Sequence, residues 1–400
     1  MTVGPLQSRI GELERRYLSG TFAELCRIES PSGSERQCAE RVIAELRAIG
    51  VSAQEDDAGS RLGTECGNLL AHIPAAAEAA ADERDRDGGR CVLLCAHLDT
   101  VPLQAPVEPA LIDGYWENAN PGILGADNKA AVAVLLALAR HLRREGAGLD
   151  VELLFTVGEE AALAGARAFD CSRLRSEVGY VFDHASPIGE VIVASPSHFR
   201  VDATFNGVAA HAGIRPEQGR SAILAAAHAI ASMRLGRLDE ETTANVGSIS
   251  GGSAMNVVAE RCSLVAEVRS LKDERAEQEV AALVARLHEA ANLPECECDV
   301  DVSVQRTFAG YRLAASRPAV RAAERALLAC GHEPVRIASG GASDANVLIA
   351  GGLETVNLAN GTERNHEPGE RVSVRALEDM LEVALALIDE LGAEVAAPAR

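Results

Sequence analysis

Aromatic residues are scarce in this chain: they make up 3% of its 400 residues, although 47% of all residues are hydrophobic. A core with so few aromatic rings must be filled mainly by Ala, Val, Leu and Ile, which is still an ordinary globular composition. A single hydrophobic core rarely organises a chain of this length, so we expect two domains.

Basic residues are also few in comparison with acidic residues. The chain has 38 basic and 59 acidic residues, which leaves a net charge of −21. Electrostatic repulsion from a nucleic acid or from an anionic membrane surface would be strong, so we expect neither as a partner. The charge says little about a small substrate.

Long hydrophobic runs and targeting segments are missing as well. No apolar stretch approaches the roughly 18 residues that suggest a membrane helix, and the first residues lack the basic and apolar regions of a secretory signal. We therefore expect a soluble, cytoplasmic protein. The ten cysteines are scattered through predicted helices and strands, which favours reduced, buried thiols over a disulfide framework, and Cys296 and Cys298 are included in that expectation.

The sequence does contain apolar strands that end in polar groups. Residues 92–96 are apolar and lead into His97 and Asp99. Alternate residues of an extended chain share a face. Asp99 can therefore accept the ring proton of His97 and leave the other ring nitrogen for a metal.

The same pattern recurs further along the chain. Residues 151–157 precede Glu159 and Glu160, and residues 178–182 precede Asp183. Adjacent carboxylates point to different sides, so Glu159 could hold a proton while Glu160 binds a cation, or the reverse. Acidic residues in the first turn of a helix would be the ordinary explanation for such a pair.

Two further polar residues complete the pattern. Asp127 lies where a glycine-bearing loop meets a helical run, a place where a plain helix N-cap is common. His366 lies in a polar loop between a predicted strand at 354–358 and a final helix at 374–391. N-capping does not explain all of these positions. Strands that end in His or carboxylates, with helices between them, predict a mostly parallel sheet with a polar cluster at its C-terminal edge.

Residues 195–305 have a different character. They predict the order strand, helix, two strands, helix, strand, the βαββαβ pattern of a small α+β ferredoxin-like domain. The parallel-sheet pattern resumes at a helix near 317–331. We therefore expect a discontinuous α/β catalytic domain at 1–194 and 306–400, interrupted by an inserted lid domain at 195–305. Residues 75–90 and 102–123 are expected to be loops, the second of them over the site.

Six motifs occur in an order that resembles a known family. They are His97-Leu-Asp99-Thr-Val-Pro, Gly-Ala-Asp127-Asn-Lys-Ala, Gly-Glu159-Glu160, Asp183, Ala-His211-Ala-Gly and His366-Glu. Over essentially the whole chain this set resembles the two-zinc exopeptidases that include peptidase T, the aminoacylases and the carnosinase-like dipeptidases. Residues 207–213 and 236–245 are most similar to the peptidase-T-like branch.

The resemblance implies a site with two divalent ions, Zn²⁺ first and Mn²⁺ or Co²⁺ as alternatives. In that reading one ion is held by His97, Asp127 and Asp183, and the other by Asp127, Glu160 and His366. Three protein ligands and a shared water would suit catalytic zinc. The resemblance also implies that Glu159 takes the proton of that water and passes it to the leaving amine, that Asp99 orients His97, and that the Asp127–Asn128 peptide bond is cis.

Further roles follow from the same resemblance. His211 would stabilise the oxyanion of the scissile carbonyl. Asn256 and Arg269 would contact the substrate, and Arg269 would bind a carboxylate of the substrate. The glycine loop around Gly341 would line the substrate pocket. Three other histidines match no ligand position of the family and are expected to be structural: His184, His198 and His332.

The favoured hypothesis is an aminopeptidase that hydrolyses the N-terminal bond of short peptides, tripeptides by analogy with peptidase T. In the family, Asp at the position of Asp183 accompanies aminopeptidases. An amidohydrolase of N-acyl or N-carbamoyl amino acids could use the same metal site. A metal-stabilised binding protein is a third hypothesis, against which stands the presence of Glu159 and of every ligand. Substrate preference, metal identity, a homodimer through the lid, and the action of His211 in cis or in trans stay open.

Overall fold

The computed structural model describes residues 8–76 and 90–396. Most of the loop predicted at 75–90 therefore lies outside the described residues. The chain divides into two compact units. The first comprises Met1–Val193, Leu313–Ala338 and Ser343–Arg400, and the second comprises Ala194–Arg312 and Ser339–Ala342.

Within the described residues, the first unit begins with five α-helices and eight strands. The helices are α1 (Glu12–Cys26), α2 (Arg36–Ala48), α3 (Ala58–Leu62), α4 (Ala126–Glu145) and α5 (Ala164–Ala168). The strands are β1 (Ala53–Glu55), β2 (Leu69–Ile73), β3 (Cys91–His97), β4 (Pro109–Ile112), β5 (Tyr115–Asn118), β6 (Asp150–Thr156), β7 (Val178–Phe182) and β8 (Glu190–Ser195). The last two residues of β8 already belong to the second unit.

The second unit contains two long helices and six strands. They are β9 (Ser197–Asn206), α6 (Ala222–Ser232), β10 (Gly236–Arg237), β11 (Thr242–Gly251), β12 (Arg261–Ser270), α7 (Asp273–Ala291), β13 (Asp299–Phe308) and β14 (Tyr311–Arg312). The chain then returns to the first unit with α8 (Pro318–Ala329), β15 (Val335–Ala338), α9 (Asp344–Ala350), β16 (Glu354–Leu358), β17 (Thr362–Glu363), β18 (Arg371–Ser373) and α10 (Val374–Ala396).

The central sheet of the first unit has the order β1-β2-β6-β3-β7-β16-β8. Its middle is parallel, because β3 pairs in parallel with β6 and β7, and β16 does so with β7. Every residue of β3 and β6 is buried. Strands covered by helices on both faces have no solvent side, which explains their nearly continuous apolar sequences. The mostly parallel sheet that the sequence predicts is confirmed.

The predicted loop at 102–123 is wrong in part, because it contains the hairpin β4–β5. Its strands are joined by Asp113 and Gly114, which have φ angles of 49° and 84°. Asp-Gly is a preferred sequence for the tight turn of a hairpin, since both positions need a positive φ. The hairpin continues into a four-stranded sheet of order β17-β18-β5-β4.

The second unit is a five-stranded antiparallel sheet of order β10-β11-β12-β9-β13 packed against α6 and α7. Apart from the two-residue β10, its elements follow the predicted βαββαβ order. Buried and less buried residues alternate along β9 and β12, as expected for a sheet with one face on a core. The predicted boundary at residue 305 falls inside β13 (Asp299–Phe308), whereas the second unit continues to Arg312 and also includes Ser339–Ala342. Throughout residues 8–76 and 90–396, no helix combines the length and the apolar character that a bilayer crossing requires.

Candidate metal centre

Five side chains converge at the C-terminal edge of the parallel strands. His97 is the last residue of β3, Glu160 follows β6, and Asp183 follows β7. Asp127 lies in the first turn of α4, and His366 lies in the loop between β17 and β18. The carboxyl ends of parallel strands share one edge of the sheet, which is why residues far apart in sequence meet there.

These side chains form two groups that share one residue. Nε2 of His97 lies 3.3 Å from Oδ1 of Asp127 and 3.7 Å from Oδ1 of Asp183. Nε2 of His366 lies 3.3 Å from Oδ2 of Asp127 and 2.7 Å from Oε1 of Glu160. In each group the potential ligand atoms lie within 4.8 Å of one another. Asp127 thus presents one carboxylate oxygen to each group.

The chemistry of both groups fits divalent cations. His97 is 1% exposed, and neither its Nε2 nor Oδ1 of Asp127 has a hydrogen-bond partner among the described residues. Buried polar atoms without partners are costly, as are clustered carboxylates. Imidazole nitrogens and carboxylate oxygens are ligands that Zn²⁺, Mn²⁺ and Co²⁺ accept. The two groups together therefore suit a pair of such ions.

The raised pKa values in the cluster also indicate that positive charge is favoured there. Hydrogen bonds to Asp127 and Glu160 raise the pKa of His366 to about 10. Burial raises the pKa of Asp183 to about 7. The cluster attracts protons because its carboxylates repel one another in a buried place. A bound metal ion would supply this positive charge in place of the protons, since metal binding displaces protons from the ligands.

Asp99 lies beneath this cluster and is fully buried. Its Oδ1 is 3.3 Å from Nδ1 of His97, on the side of the ring away from the ligand groups. The same carboxylate accepts hydrogen bonds from the backbone N–H groups of Glu159 at 2.9 Å and Glu160 at 3.1 Å. Asp99 thus contacts the ring of His97, a potential ligand, and also holds the backbone that carries the two glutamates. The sequence indicated only the first of these contacts.

Glu159 lies beside these potential ligands, with a carboxylate oxygen within 4.8 Å of the potential ligand atoms of His97 and Glu160. Burial, followed by the negative charge of Asp183, raises its pKa well above the ordinary glutamate value. A carboxylate of raised pKa binds a proton more readily near neutral pH, which is the property a general base needs. The peptide bond between Asp127 and Asn128 is cis, so that expectation is confirmed.

The remaining predicted site residues belong to the second unit. His211 is exposed, and its Nδ1 accepts a hydrogen bond of 3.2 Å from the N–H of Gly213. In a neutral ring with Nδ1 as acceptor, Nε2 carries the proton and can donate it. Gly341 lies in the short segment Ser339–Ala342, where its carbonyl accepts a hydrogen bond from the Ser195 hydroxyl at 2.8 Å.

Two substrate-contact assignments need correction or qualification. Asn256 lies in a turn and not on a strand of the second unit, because β12 begins only at Arg261, and its backbone carbonyl accepts a hydrogen bond from the Ala212 N–H. Gly252, which directly follows β11, has a φ of 79°, a left-handed conformation that ends the strand before Asn256. Arg269 does lie on β12, and its guanidinium donates to the Glu267 carboxylate at 3.1 Å.

The three histidines expected to be structural lie in neither group. His198 Nε2 lies 3.0 Å from the Glu267 carboxylate, and His332 Nε2 lies 3.8 Å from that of Asp379. Burial lowers the pKa of His184.

Sequence reasoning missed several buried carboxylates near the cluster. Glu35 accepts hydrogen bonds from the N–H groups of Gly33 and Gly158, and Asp344 accepts one from the Thr156 hydroxyl at 2.5 Å. A third is Glu370, which accepts the N–H of Asp127 at 2.8 Å. Each is at most 1% exposed. No local pattern marks them, because their burial results from contacts distant in sequence.

Two family models match the chain. The model of the M20 peptidase dimerisation domain matches residues 193–293, and the model of peptidase family M28 matches residues 79–186. The second match covers His97, Asp127, Glu160 and Asp183, and the first covers most of the second unit.

Individual proteins match over nearly the whole chain. The uncharacterised protein YqjE of Bacillus subtilis (strain 168) is 34% identical over 378 residues, which cover 94% of this chain and 98% of that protein. The solved structure of aminopeptidase PepT from Bacillus cereus has 36% identity and a TM-score of 0.82, covering 94% of this chain and 98% of the other. A solved tripeptidase from Staphylococcus aureus has 30% identity and a TM-score of 0.86, covering 95% and 99%.

Proposed function

The chain belongs to the M20 peptidases, in the branch of peptidase T, and from this membership we propose that it is a two-metal aminopeptidase acting on short peptides, tripeptides above all. One observation carries the proposal: two ligand groups share Asp127 and have the buried carboxylate of Glu159 beside them. The solved relatives with 36% and 30% identity are described as an aminopeptidase and a tripeptidase.

The ligands of the proposal are those of the two groups. His97, Asp127 and Asp183 would hold one Zn²⁺ ion, and Asp127, Glu160 and His366 the other. Bound ions would polarise the scissile carbonyl and lower the pKa of water. The chain supplies three carboxylates to offset the charge of the pair. In the family, an aspartate at the position of Asp183 accompanies aminopeptidases. Its side chain is one methylene shorter than that of glutamate.

In this proposal, Glu159 carries out the proton transfers. Its carboxylate takes a proton from the attacking water and delivers the same proton to the leaving amine, so the group ends the cycle as it began. Its raised pKa supports this role. Asp99 keeps Glu159 in place through the backbone hydrogen bond of 2.9 Å and keeps the His97 ring oriented.

The proposed role of the second unit is that of a lid and dimerisation domain. His211 would donate from Nε2 to the oxyanion, and the acceptor role of its Nδ1 supports that tautomer. Asn256, Arg269 and Gly341 would contact the substrate. A homodimer through this unit is supported by the match to the M20 peptidase dimerisation domain.

Hydrolysis of Leu-Gly-Gly and of N-acetyl-Leu-Gly-Gly by the metal-reconstituted protein tests this proposal. We expect release of leucine from the free tripeptide and no detectable turnover of the acetylated one, because an aminopeptidase requires the free amine. Released amino acids can be scored by chromatography. Cleavage of the acetylated peptide alone would make the protein a deacylase and would contradict both the proposed activity and the role given to Asp183.

A further inference from the structure

Glu370 is a buried carboxylate at the base of the loop that carries His366. It is 1% exposed and directly precedes β18. Its Oε2 accepts hydrogen bonds from the N–H groups of Leu124 at 2.8 Å and Gly125 at 2.7 Å. Its Oε1 accepts the N–H of Asp127 at 2.8 Å. All three N–H groups donate to one carboxylate, a stronger acceptor than a neutral carbonyl when it is ionised.

These three N–H groups have no acceptor in their own helix. Leu124 and Gly125 directly precede α4 and Asp127 lies in its first turn, where the amides of any helix lack intrahelical partners. Gly125, the residue before the helix, has a φ of 77° and makes no side-chain cap, and Asp127 has non-helical φ and ψ angles. The regular hydrogen bonds of α4 therefore do not determine the backbone at Asp127. Glu370, more than 240 residues away, supplies the missing acceptors.

The position of Glu370 links the two ligand groups. The loop between β17 and β18 provides one potential ligand, His366. Four residues later, Glu370 holds the backbone of Asp127, the residue that contributes to both groups. Asn365 of the same loop donates to Oδ2 of Asp127 at 2.8 Å. The loop thus contacts Asp127 at its backbone and at its carboxylate.

We propose that Glu370 is a positioning residue for the metal pair: it fixes the backbone of Asp127 so that one carboxylate oxygen faces each ligand group. This inference rests on the proposed two-metal function. It differs from an ordinary stabilising role, because a carboxylate that only stabilised the fold would leave metal affinity unchanged. Since Asp127 serves both groups, loss of Glu370 should weaken both ions together.

Glu152 on β6 is a matched control. It is 3% exposed and also holds backbone N–H groups, those of Arg175 and Ser176, each at 3.1 Å. None of its described hydrogen-bond partners is a potential metal ligand. Glu370→Gln and Glu152→Gln each place an amide NH₂ against backbone donors, so both variants should lose thermal stability in EDTA.

The experiment measures Co²⁺ binding by equilibrium dialysis and Co²⁺ absorption spectra for the unmutated protein and both variants. We expect Glu370→Gln to raise the dissociation constants of both ions by about 10- to 100-fold, as changes next to metal ligands typically do, and to alter the absorption bands. Glu152→Gln should bind and absorb like the unmutated protein. Should either glutamine variant fail to fold, Glu370→Asp and Glu152→Asp give the same comparison with a smaller expected effect.

Two outcomes would have different consequences. If Glu370 variants bind two Co²⁺ ions with unchanged affinity and spectrum, losing only thermal stability, Glu370 is a structural residue and the inference is overturned. If the unmutated protein itself binds no pair of ions, the proposed function fails first, and the inference fails with it.

Discussion

The Glu159→Gln variant should retain both metal ions and lose turnover by about 10²- to 10⁴-fold, the range that a positioned general base contributes. Glutamine has the shape of glutamate but cannot accept a proton from water. Asp99 holds residue 159 through the backbone N–H, so the loop should keep its position in the variant. The measurement is kcat for Leu-Gly-Gly, with metal content determined on the same sample.

Glu177→Gln is a suitable control for this change. Its side chain is 64% exposed and lies 3.8 Å from Arg90 at the surface, so its loss should leave kcat unchanged. Full activity of Glu159→Gln with both ions bound would show that another group carries the proton. Loss of metal along with activity would instead make Glu159 a ligand, a possibility that its closeness to His97 and Glu160 makes worth measuring.

Replacing Asp127 with Asn should remove both ions at once. The two groups share Asp127. Its Oδ1 lies 3.3 Å from Nε2 of His97, and its Oδ2 lies 3.3 Å from Nε2 of His366. His366→Ala removes a member of one group alone and should leave one ion at His97, Asp127 and Asp183. Metal analysis after gel filtration distinguishes zero, one and two ions per chain, and neither variant should hydrolyse Leu-Gly-Gly at a measurable rate.

The same variants should differ in thermal unfolding. A ligand present at about 1,000 times its dissociation constant stabilises the folded state by about 4 kcal/mol, so Zn²⁺ should raise the Tm of the unmutated protein by several degrees. Asp127→Asn should show no such rise, and His366→Ala a smaller one. Retention of two tightly bound ions by Asp127→Asn would contradict the bridging role.

The elements that the sequence predicts best are those whose pattern is local. The strand Glu354–Leu358 has the predicted ends and the last helix begins at Val374 as predicted, because one buried run or one apolar face determines each of them. The potential ligands could be located for a related reason. His97 and Asp183 stand at the ends of apolar strands, and the ends of parallel strands necessarily meet at one edge.

Other features depend on contacts that no local pattern contains. The hairpin β4–β5 lies in a segment rich in Pro, Gly and Asn, where Asp113-Gly114 is a turn signal that the surrounding composition obscures. Glu370 and Asp344 look like ordinary surface acids in the sequence. Their function as acceptors for Asp127 and Thr156 exists only after segments 243 and 188 residues apart have come together.

Titration of the metal-stripped protein with Zn²⁺, followed by hydrolysis of Leu-Gly-Gly, tests the two-metal aminopeptidase most directly. We predict no turnover without metal, and leucine release that rises and saturates at two equivalents of Zn²⁺ per chain, one for each group around Asp127. Turnover in the stripped protein, or two bound ions with no leucine released under any metal loading, would contradict the account.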